Sequence, residues 1–372
     1  MTPMEKQHVT FNRIFLTQEK NGALSGCTAN FSKASLVVPR TTNAMKLNTL
    51  KPTLAFLLIS SVAALAATEE KLHQQFPVQP GGAVVVEVDF GSVNVSTNAT
   101  SEVVVDVWRK IGRKNKADEE AFLRDNPVKL TQEGNTLTIR SHGKTSSSWS
   151  WSGRNQNEAK YTITVPARFD ARLKSGGGGI EVVDLTGEVR AQTGGGGLSF
   201  VRLNGPLNGE TGGGGVRASA CEGKLAFRTG GGGLEVAGGS GSLDGKNGGG
   251  SVTIKEFQGS VHVSTGGGGI TVEKVKGAVE ATTGGGSISA VLPSELSDPV
   301  KLLTGGGGIN VSVPATAAFS LDAATAGGKV STELSVAVAG KMEDGRLKGP
   351  VNGGGKAVEL RSGGGSIHLK KI

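Results

Sequence analysis

Cysteine is nearly absent from this chain of 372 residues, which contains only Cys27 and Cys221. Cys27 lies in an N-terminal part that we expect to be removed, so the remaining chain has one thiol and cannot form an internal disulfide. A strong excess of basic charge is missing too. Once residues 1–66 are set aside, the excess of Lys and Arg over Asp and Glu falls from eight to three, which excludes the electrostatic footprint of a nucleic-acid-binding protein.

Motifs that carry chemistry are also missing. The Gly-Lys pairs at 245–246 and 355–356 lack the upstream glycine and the Ser or Thr of a phosphate-binding loop. Leu243 stands where a calcium-binding β-roll needs an aspartate. The four histidines after residue 66 show no metal-ligand spacing: His73, His142, His262 and His368. These absences predict that the protein is not an enzyme and has no catalytic residue, cofactor, nucleotide or metal site.

Glycine is what the chain has in abundance, with 60 residues. Runs of glycine recur every 18 residues in the second half of the sequence, and they begin at Gly176, Gly194, Gly212, Gly230, Gly248, Gly266 and Gly284. Insertions then lengthen the step, to a run at Gly305 and a pair at Gly327. A fixed period of this length is typical of a solenoid, in which each repeat stacks on the previous one.

Each repeat has the same internal pattern. An apolar residue follows the glycine run and another stands two places later, as Ile180 and Val182 do, which is the alternation of a strand with one buried face. A lone glycine such as Gly187 then marks a turn, and the alternation resumes at Val189. We therefore predict an all-β fold, a parallel β-solenoid or single-stranded β-helix, built from two-strand coils of about 18 residues.

A threonine precedes most of the glycine runs: Thr193, Thr211, Thr229, Thr265, Thr283 and Thr304. Stacked threonines could form the flat ladder of an ice-binding solenoid. The neighbouring positions carry Gln192, Glu210, Arg228 and Lys246, which would spoil such a face. We interpret the threonines as hydroxyl groups that satisfy the backbone of the glycine turn.

Residues 45–66 have the pattern of a secretory signal peptide. Lys46 and Lys51 provide the positive charge, an apolar stretch follows, and small residues lead to a cleavage site after Ala66. The mature protein is therefore expected outside the cytoplasm, in the periplasm, in the outer envelope or secreted.

Four regions follow from these patterns. Residues 1–44 precede the signal and show no periodicity, so we interpret them as a non-native or disordered extension. Residues 67–174 are expected to form a β-rich cap, or irregular first coils of the solenoid, and residues 175–372 form the regular glycine-rich solenoid. In an alternative reading, the segment 50–67 remains uncleaved and anchors the chain in a membrane, although it is short for a span.

Trp149 and Trp151 lie in a serine-rich loop and are the candidate contact residues for a ligand or partner. In an extended segment both rings point to the same side, where exposed aromatic rings can stack on sugars or anchor a protein. The alternative is that they cover the apolar end of the first coil.

The order of these features resembles the DUF4097 family of bacterial envelope adhesin domains over residues 76–372. The resemblance rests on the strand at 85–95, the Val-Pro strand at 161–166 and the G-x-I-x-V repeats that follow it. It implies an exported β-strand repeat protein without a catalytic motif.

The predicted function is thus an adhesin-like binding or structural role at the cell envelope, with a glycan or a cell-surface partner. The alternatives are a polysaccharide-acting β-helix enzyme, which would need a groove with converging carboxylates, and an ice-binding solenoid.

Overall fold

The computed structural model describes residues 67–142, 156–337 and 345–372, all of which belong to one compact unit. The predicted signal peptide, the extension before it, and both Trp149 and Trp151 lie outside the described residues. Strands dominate the described part, and they form one continuous sheet. The prediction of an all-β parallel solenoid is confirmed.

The N-terminal region contains one helix among its strands: β1 (Thr68–Pro77), β2 (Gly82–Val88), β3 (Ser92–Asn98), β4 (Glu102–Gly112), α1 (Lys116–Asp125), β5 (Lys129–Glu133), β6 (Thr136–Ser141) and β7 (Gln156–Pro166). The repeats begin with β8 (Phe169–Ser175), β9 (Ile180–Val183), β10 (Val189–Thr193), β11 (Leu198–Val201), β12 (Leu207–Thr211), β13 (Val216–Thr229) and β14 (Leu234–Asn247).

The remaining repeats contain β15 (Val252–Lys255), β16 (Gln258–Thr265), β17 (Ile270–Glu273), β18 (Val279–Thr283), β19 (Ile288–Val291), β20 (Val300–Thr304) and β21 (Ile309–Val313). The C-terminal region contains β22 (Phe319–Thr325), β23 (Val330–Thr332), β24 (Arg346–Val351), β25 (Ala357–Ser362) and β26 (Ile367–Lys371). Each pair of strands on either side of a glycine corner forms one rung of the solenoid.

Neighbouring repeats pair in parallel at an offset of 18 residues. Leu198 pairs with Ile180 on one side and with Val216 on the other, and the same register continues through the regular repeats. The apolar residues of these columns are almost fully buried and form one core cluster. Cys221 packs within it as a buried free thiol, as expected, and its burial raises its pKa. No repeat can bury its apolar face without the next one.

The parallel register extends into the N-terminal region. Strands β2 and β3 pair with β8 and β9 on one side and with β6 and β7 on the other. The spatial order of the first rungs is therefore β6–β7, β2–β3, β8–β9, which differs from their order in the chain. Strand β5 runs antiparallel to β6, β4 runs antiparallel to β7, and β1 runs antiparallel to β4 at the edge of the sheet.

The C-terminal rung is also displaced from its chain order. Strands β25 and β26 lie between the rung β20–β21 and the rung β22–β23, and they pair in parallel with both. The glycine run that stacks on Gly305 begins at Gly363, and Gly327 lies against Gly364 instead. The expectation that successive repeats always occupy successive rungs is thus wrong at this end, because the last residues of the chain fill a gap left by the preceding ones.

Asp322 in β22 joins the three strands at this end. Its carboxylate is 3.3 Å from Nζ of Lys348 in β24 and 2.9 Å from Nη1 of Arg361 in β25. Partial burial would raise the pKa of Asp322, but the hydrogen bonds from Arg361 and Lys348 outweigh it and hold the pKa below its ordinary value.

A carboxylate with a lowered folded-state pKa stabilises the fold above its unfolded pKa and loses that contribution as pH falls through the folded value. We expect Asp322→Asn to lower the urea midpoint at neutral pH and to leave it unchanged in acid below the folded pKa. Urea titrations of both proteins across this pH range measure the difference. A gap between them that stays constant with pH would contradict the assignment.

The glycine corners depend on close approach of the backbone from one rung to the next. In the seven corners that begin between Gly176 and Gly284, a Cβ on the first or third glycine would lie less than 3.0 Å from backbone atoms of the neighbouring rung, as at Gly212 and Gly214. A Cβ on the second glycine of these corners would meet nothing closer than 3.9 Å, as at Gly213. The stacking therefore requires glycine at the first and third positions and leaves the second position free of steric demand.

The threonines before the corners are buried, which confirms their predicted role. Thr211 Oγ1 donates to the carbonyl of Gly196 in the preceding rung at 2.7 Å and accepts from N–H of Gly214 at 3.2 Å. Asn247 makes the equivalent bonds in its own repeat. Because these hydroxyls face inward, they cannot form the exposed ladder that an ice-binding surface requires.

Replacing Thr211 with valine should therefore leave two buried backbone groups unpaired. We expect a loss of about 1–3 kcal/mol in the free energy of unfolding, measured by urea denaturation. Thr211→Ser keeps the hydroxyl and is the matched control. Equal stability of the valine and serine variants would show that the hydroxyl contributes nothing.

Candidate binding groove

An open groove of about 610 Å³ runs across the rungs beside the glycine corners. One wall consists of outward side chains from six stacked strands, namely Asn94 in β3, Glu181 in β9, Ser199 in β11, Arg217 in β13, Glu235 in β14 and Thr253 in β15. The floor is formed by the last residue of each corner: Gly179, Gly197, Gly215, Gly233 and Ser251. The groove therefore has a polar wall and an almost side-chain-free floor.

The repeat itself builds this shape. The wall residues alternate with the buried core residues, so each of them points away from the sheet. At the floor, a Cβ on Gly197 would lie 3.4 Å from the carbonyl oxygen of Gly215, which is an ordinary contact distance. In the corner that begins at Gly248, the equivalent position is Ser251. The floor therefore accommodates a small side chain, and no large side chain fills the groove from below.

One ion pair joins neighbouring rungs in the groove, and Glu181 adds a second carboxylate. Arg217 Nε lies 3.0 Å from a carboxylate oxygen of Glu235, and both side chains are exposed. Glu181 and Glu235 are three rungs apart, which is about 14 Å at a rung separation of roughly 4.8 Å. Paired catalytic carboxylates of glycosidases stand about 5–9.5 Å apart, so these two do not converge on one bond.

A second groove of about 520 Å³ lies on the other side of the glycine corners. Its charged and polar residues are Gln192, Glu210, Arg228 and Lys246. Arg228 Nη1 is 3.3 Å from Glu210, again one rung away. The two grooves thus flank the same glycine corners and carry the same kind of ion pair.

The four histidines in the described part of the chain are exposed and paired with nearby polar groups. His262 lies 3.2 Å from Glu280, and His142 lies 2.8 Å from Asp89. Within the described ranges, no group of three or more potential ligands could hold a metal ion. No helix in this part of the chain is long and apolar enough to cross a membrane.

The groove residues were not singled out in the sequence. Their signal is the position directly after the first apolar residue of each repeat, which is polar in the six wall positions. The wall column can be recognised once the repeats are aligned. The floor residues belong to a different column, and only the geometry of the corner brings the two columns side by side.

Comparison with curated proteins finds no sequence match. Similar solved structures include a candidate adhesin from Bacteroides fragilis, which is 11% identical with a TM-score of 0.27 and covers 82% of this chain and 97% of its own. A candidate lipid-binding protein from Parabacteroides distasonis is 11% identical with a TM-score of 0.30, at 81% and 96% coverage. A candidate adhesin from Parabacteroides merdae is 9% identical with a TM-score of 0.32, also at 81% and 96% coverage.

The family model described as Toastrack DUF4097 matches residues 84–370. This match spans the parallel rungs at both ends of the solenoid as well as the regular repeats between them. It includes the whole of the groove's polar wall. The chain therefore belongs to the Toastrack DUF4097 family.

Proposed function

We propose that the protein is a non-catalytic binding protein of the cell envelope or cell surface, exported by the signal peptide at 45–66. The observation that carries the proposal is the continuous groove with a polar wall and a glycine floor. One ion pair between rungs, Arg217 with Glu235, offsets part of its charge, and its two carboxylates are not placed for acid–base catalysis. This arrangement favours binding over the cleavage of a polysaccharide.

The shape of the groove favours an extended ligand. Six stacked strands give it a length of about 24 Å at roughly 4.8 Å per rung, and it is open along its side. The wall offers amide, hydroxyl, carboxylate and guanidinium groups at regular intervals, which suit the hydroxyl groups of a glycan chain. We therefore propose an envelope or cell-surface glycan as the ligand class, with the glycine floor allowing close approach of the sugar rings.

The test uses two charge-neutral double variants. Arg217→Ala with Glu235→Ala removes the ion pair in the groove, and Arg228→Ala with Glu210→Ala removes the matching pair in the second groove. We expect the first variant to bind glycans on an array at least about tenfold more weakly than the unaltered protein, which corresponds to about 1.4 kcal/mol. The second variant should bind normally.

Circular dichroism would confirm that both variants keep the fold. Absence of glycan binding by the unaltered protein would overturn the ligand class, and equal binding by both variants would overturn the site. Cell fractionation tests the location separately. A cytoplasmic protein would contradict the export proposal, and a membrane-bound product that retains residues 50–67 would establish the anchored alternative.

A further inference from the structure

A buried carboxylate lies beside the beginning of the described chain. Glu119 in α1 is only 4% exposed. Its Oε2 accepts hydrogen bonds from the backbone N–H of Thr68 at 2.9 Å and from the Thr68 hydroxyl at 2.6 Å. Its Oε1 accepts from the backbone N–H of Arg113 at 3.0 Å. The side chain thus fixes the first residue of β1 to the helix.

Glu119 forms no ion pair within 4 Å among the described residues, although the charges of Lys116 and Arg113 lie near enough to interact with it. Burial would raise the pKa of Glu119, but the hydrogen bonds from Thr68 and Arg113 outweigh it and keep the pKa below its ordinary value. No ion pair joins Glu119 to a lysine, arginine or histidine of the described ranges, whereas the buried Arg109 is paired with Glu70. A buried carboxylate of this kind gains stability from a nearby positive charge.

The backbone nitrogen of Ala67 is placed to supply that charge. Standard bond lengths put successive backbone nitrogens at most about 3.6 Å apart. Because the Thr68 nitrogen is 2.9 Å from Glu119 Oε2, the Ala67 nitrogen is within about 6.5 Å of the same oxygen. In an uncleaved chain this nitrogen belongs to a neutral amide.

We propose that Glu119 is the receptor for the α-ammonium group that cleavage after Ala66 creates on Ala67. This inference rests on the export proposed above. Water adds across the Ala66–Ala67 peptide bond in a reaction catalysed by a leader peptidase. The leader keeps the new carboxylate on Ala66, and the new amine on Ala67 takes up a proton. The fold then gains an ammonium–carboxylate pair that the precursor lacks, so removal of the leader stabilises the N-terminal strand.

The test is a double-mutant cycle on the mature chain. One protein begins at Ala67, and a second carries Gly-Ser before Ala67, which moves the ammonium group away. Both are made with Glu119 and with Glu119→Gln, which keeps the shape and an acceptor but removes the charge. Glu120→Gln is the matched control, because Glu120 lies next to Glu119 in the same helix and is exposed.

In the unaltered protein and in the Glu120→Gln variant, we expect the Gly-Ser extension to reduce the folding equilibrium constant by about fivefold or more. In the Glu119→Gln variant, the extension should have little effect. The pKa of the Ala67 amino group, followed by NMR, should be higher with Glu119 than with Glu119→Gln. Equal sensitivity to the extension in all backgrounds, or an unchanged amino-group pKa, would overturn the inference.

N-terminal sequencing of the protein isolated from cells separates the two proposals. If the mature chain begins at Ala67 and the cycle shows no coupling, only the role of Glu119 fails. If the chain begins elsewhere, the cleavage site after Ala66 fails as well, whatever the cycle shows.

Discussion

Replacing Gly196, Gly214 and Gly232 together with alanine is expected to unfold the regular part of the solenoid. These residues are the third glycines of consecutive corners, and a Cβ on each would lie less than 3.0 Å from backbone atoms of the neighbouring rung. Backbone cannot move aside as a flexible side chain can, so the rungs would have to separate. Overpacking typically costs about 1–3 kcal/mol per site, and three sites approach the total stability of about 5–15 kcal/mol of an ordinary domain.

The matched control changes the second glycines of the same corners, Gly195, Gly213 and Gly231. A Cβ there meets at most a contact at 4.0 Å, and none of the three has a left-handed φ. Alanine restricts the unfolded chain at such positions and should stabilise the protein by about 0.4–1 kcal/mol per site. Urea midpoints of the two triple variants provide the comparison. Similar midpoints would mean that the close stacking of the corners does not hold the rungs together.

Replacing Arg109 with alanine is expected to have the second largest effect. The guanidinium group is fully buried. It pairs with Glu70 of β1 and donates to the carbonyl of Asn126 at 2.7 Å and to the Ser141 hydroxyl at 3.4 Å. This one side chain therefore joins β1, the end of α1 and β6 around β4. Removing one partner of a buried ion pair typically costs about 3–5 kcal/mol.

The control is Arg124→Ala, because the Arg124 side chain is exposed and pairs with Asp125 on the surface. Its loss should change the free energy of unfolding by less than about 0.5 kcal/mol. Chemical denaturation measures both variants, and hydrogen exchange locates the effect. Arg109→Ala should raise the exchange rates of β1 and β4 first. A stability loss no larger than that of the control would show that the buried cation is not a structural link.

The regular part of the solenoid could be predicted because apolar residues and glycines recur at the same positions of every repeat. The turn glycines at Gly187, Gly205 and their equivalents all have positive φ, as their recurrence indicated. The helix Lys116–Asp125 and the hairpin of β5 and β6 lie in the region 67–174, for which a β-rich cap or irregular first coils were expected. In contrast, the segment 85–95 was interpreted as a single strand, whereas the chain turns at Gly91 with a positive φ and forms β2 and β3.

Other features of the structure cannot be recognised from the sequence of a single repeat. A second left-handed position occurs at Asp184, Arg202 and Ala220, where the varied side chains hide the common backbone conformation. The groove was missed because its floor and wall come from different columns of the repeat. The rung order at both ends was missed because strands without a fixed offset can pair with more than one neighbour, and only the three-dimensional arrangement decides between them.

The placement of β25 and β26 has a consequence for how the chain folds during synthesis. A chain that emerges from its N-terminus can build the regular rungs in order, but the rung β22–β23 has no parallel neighbour until the final residues arrive. The last fifteen or so residues therefore complete the sheet by inserting between the rung β20–β21 and the rung β22–β23. A product truncated before residue 357 would lose an internal layer instead of a dispensable tail, and would leave two unpaired edges open to proteases and to other chains.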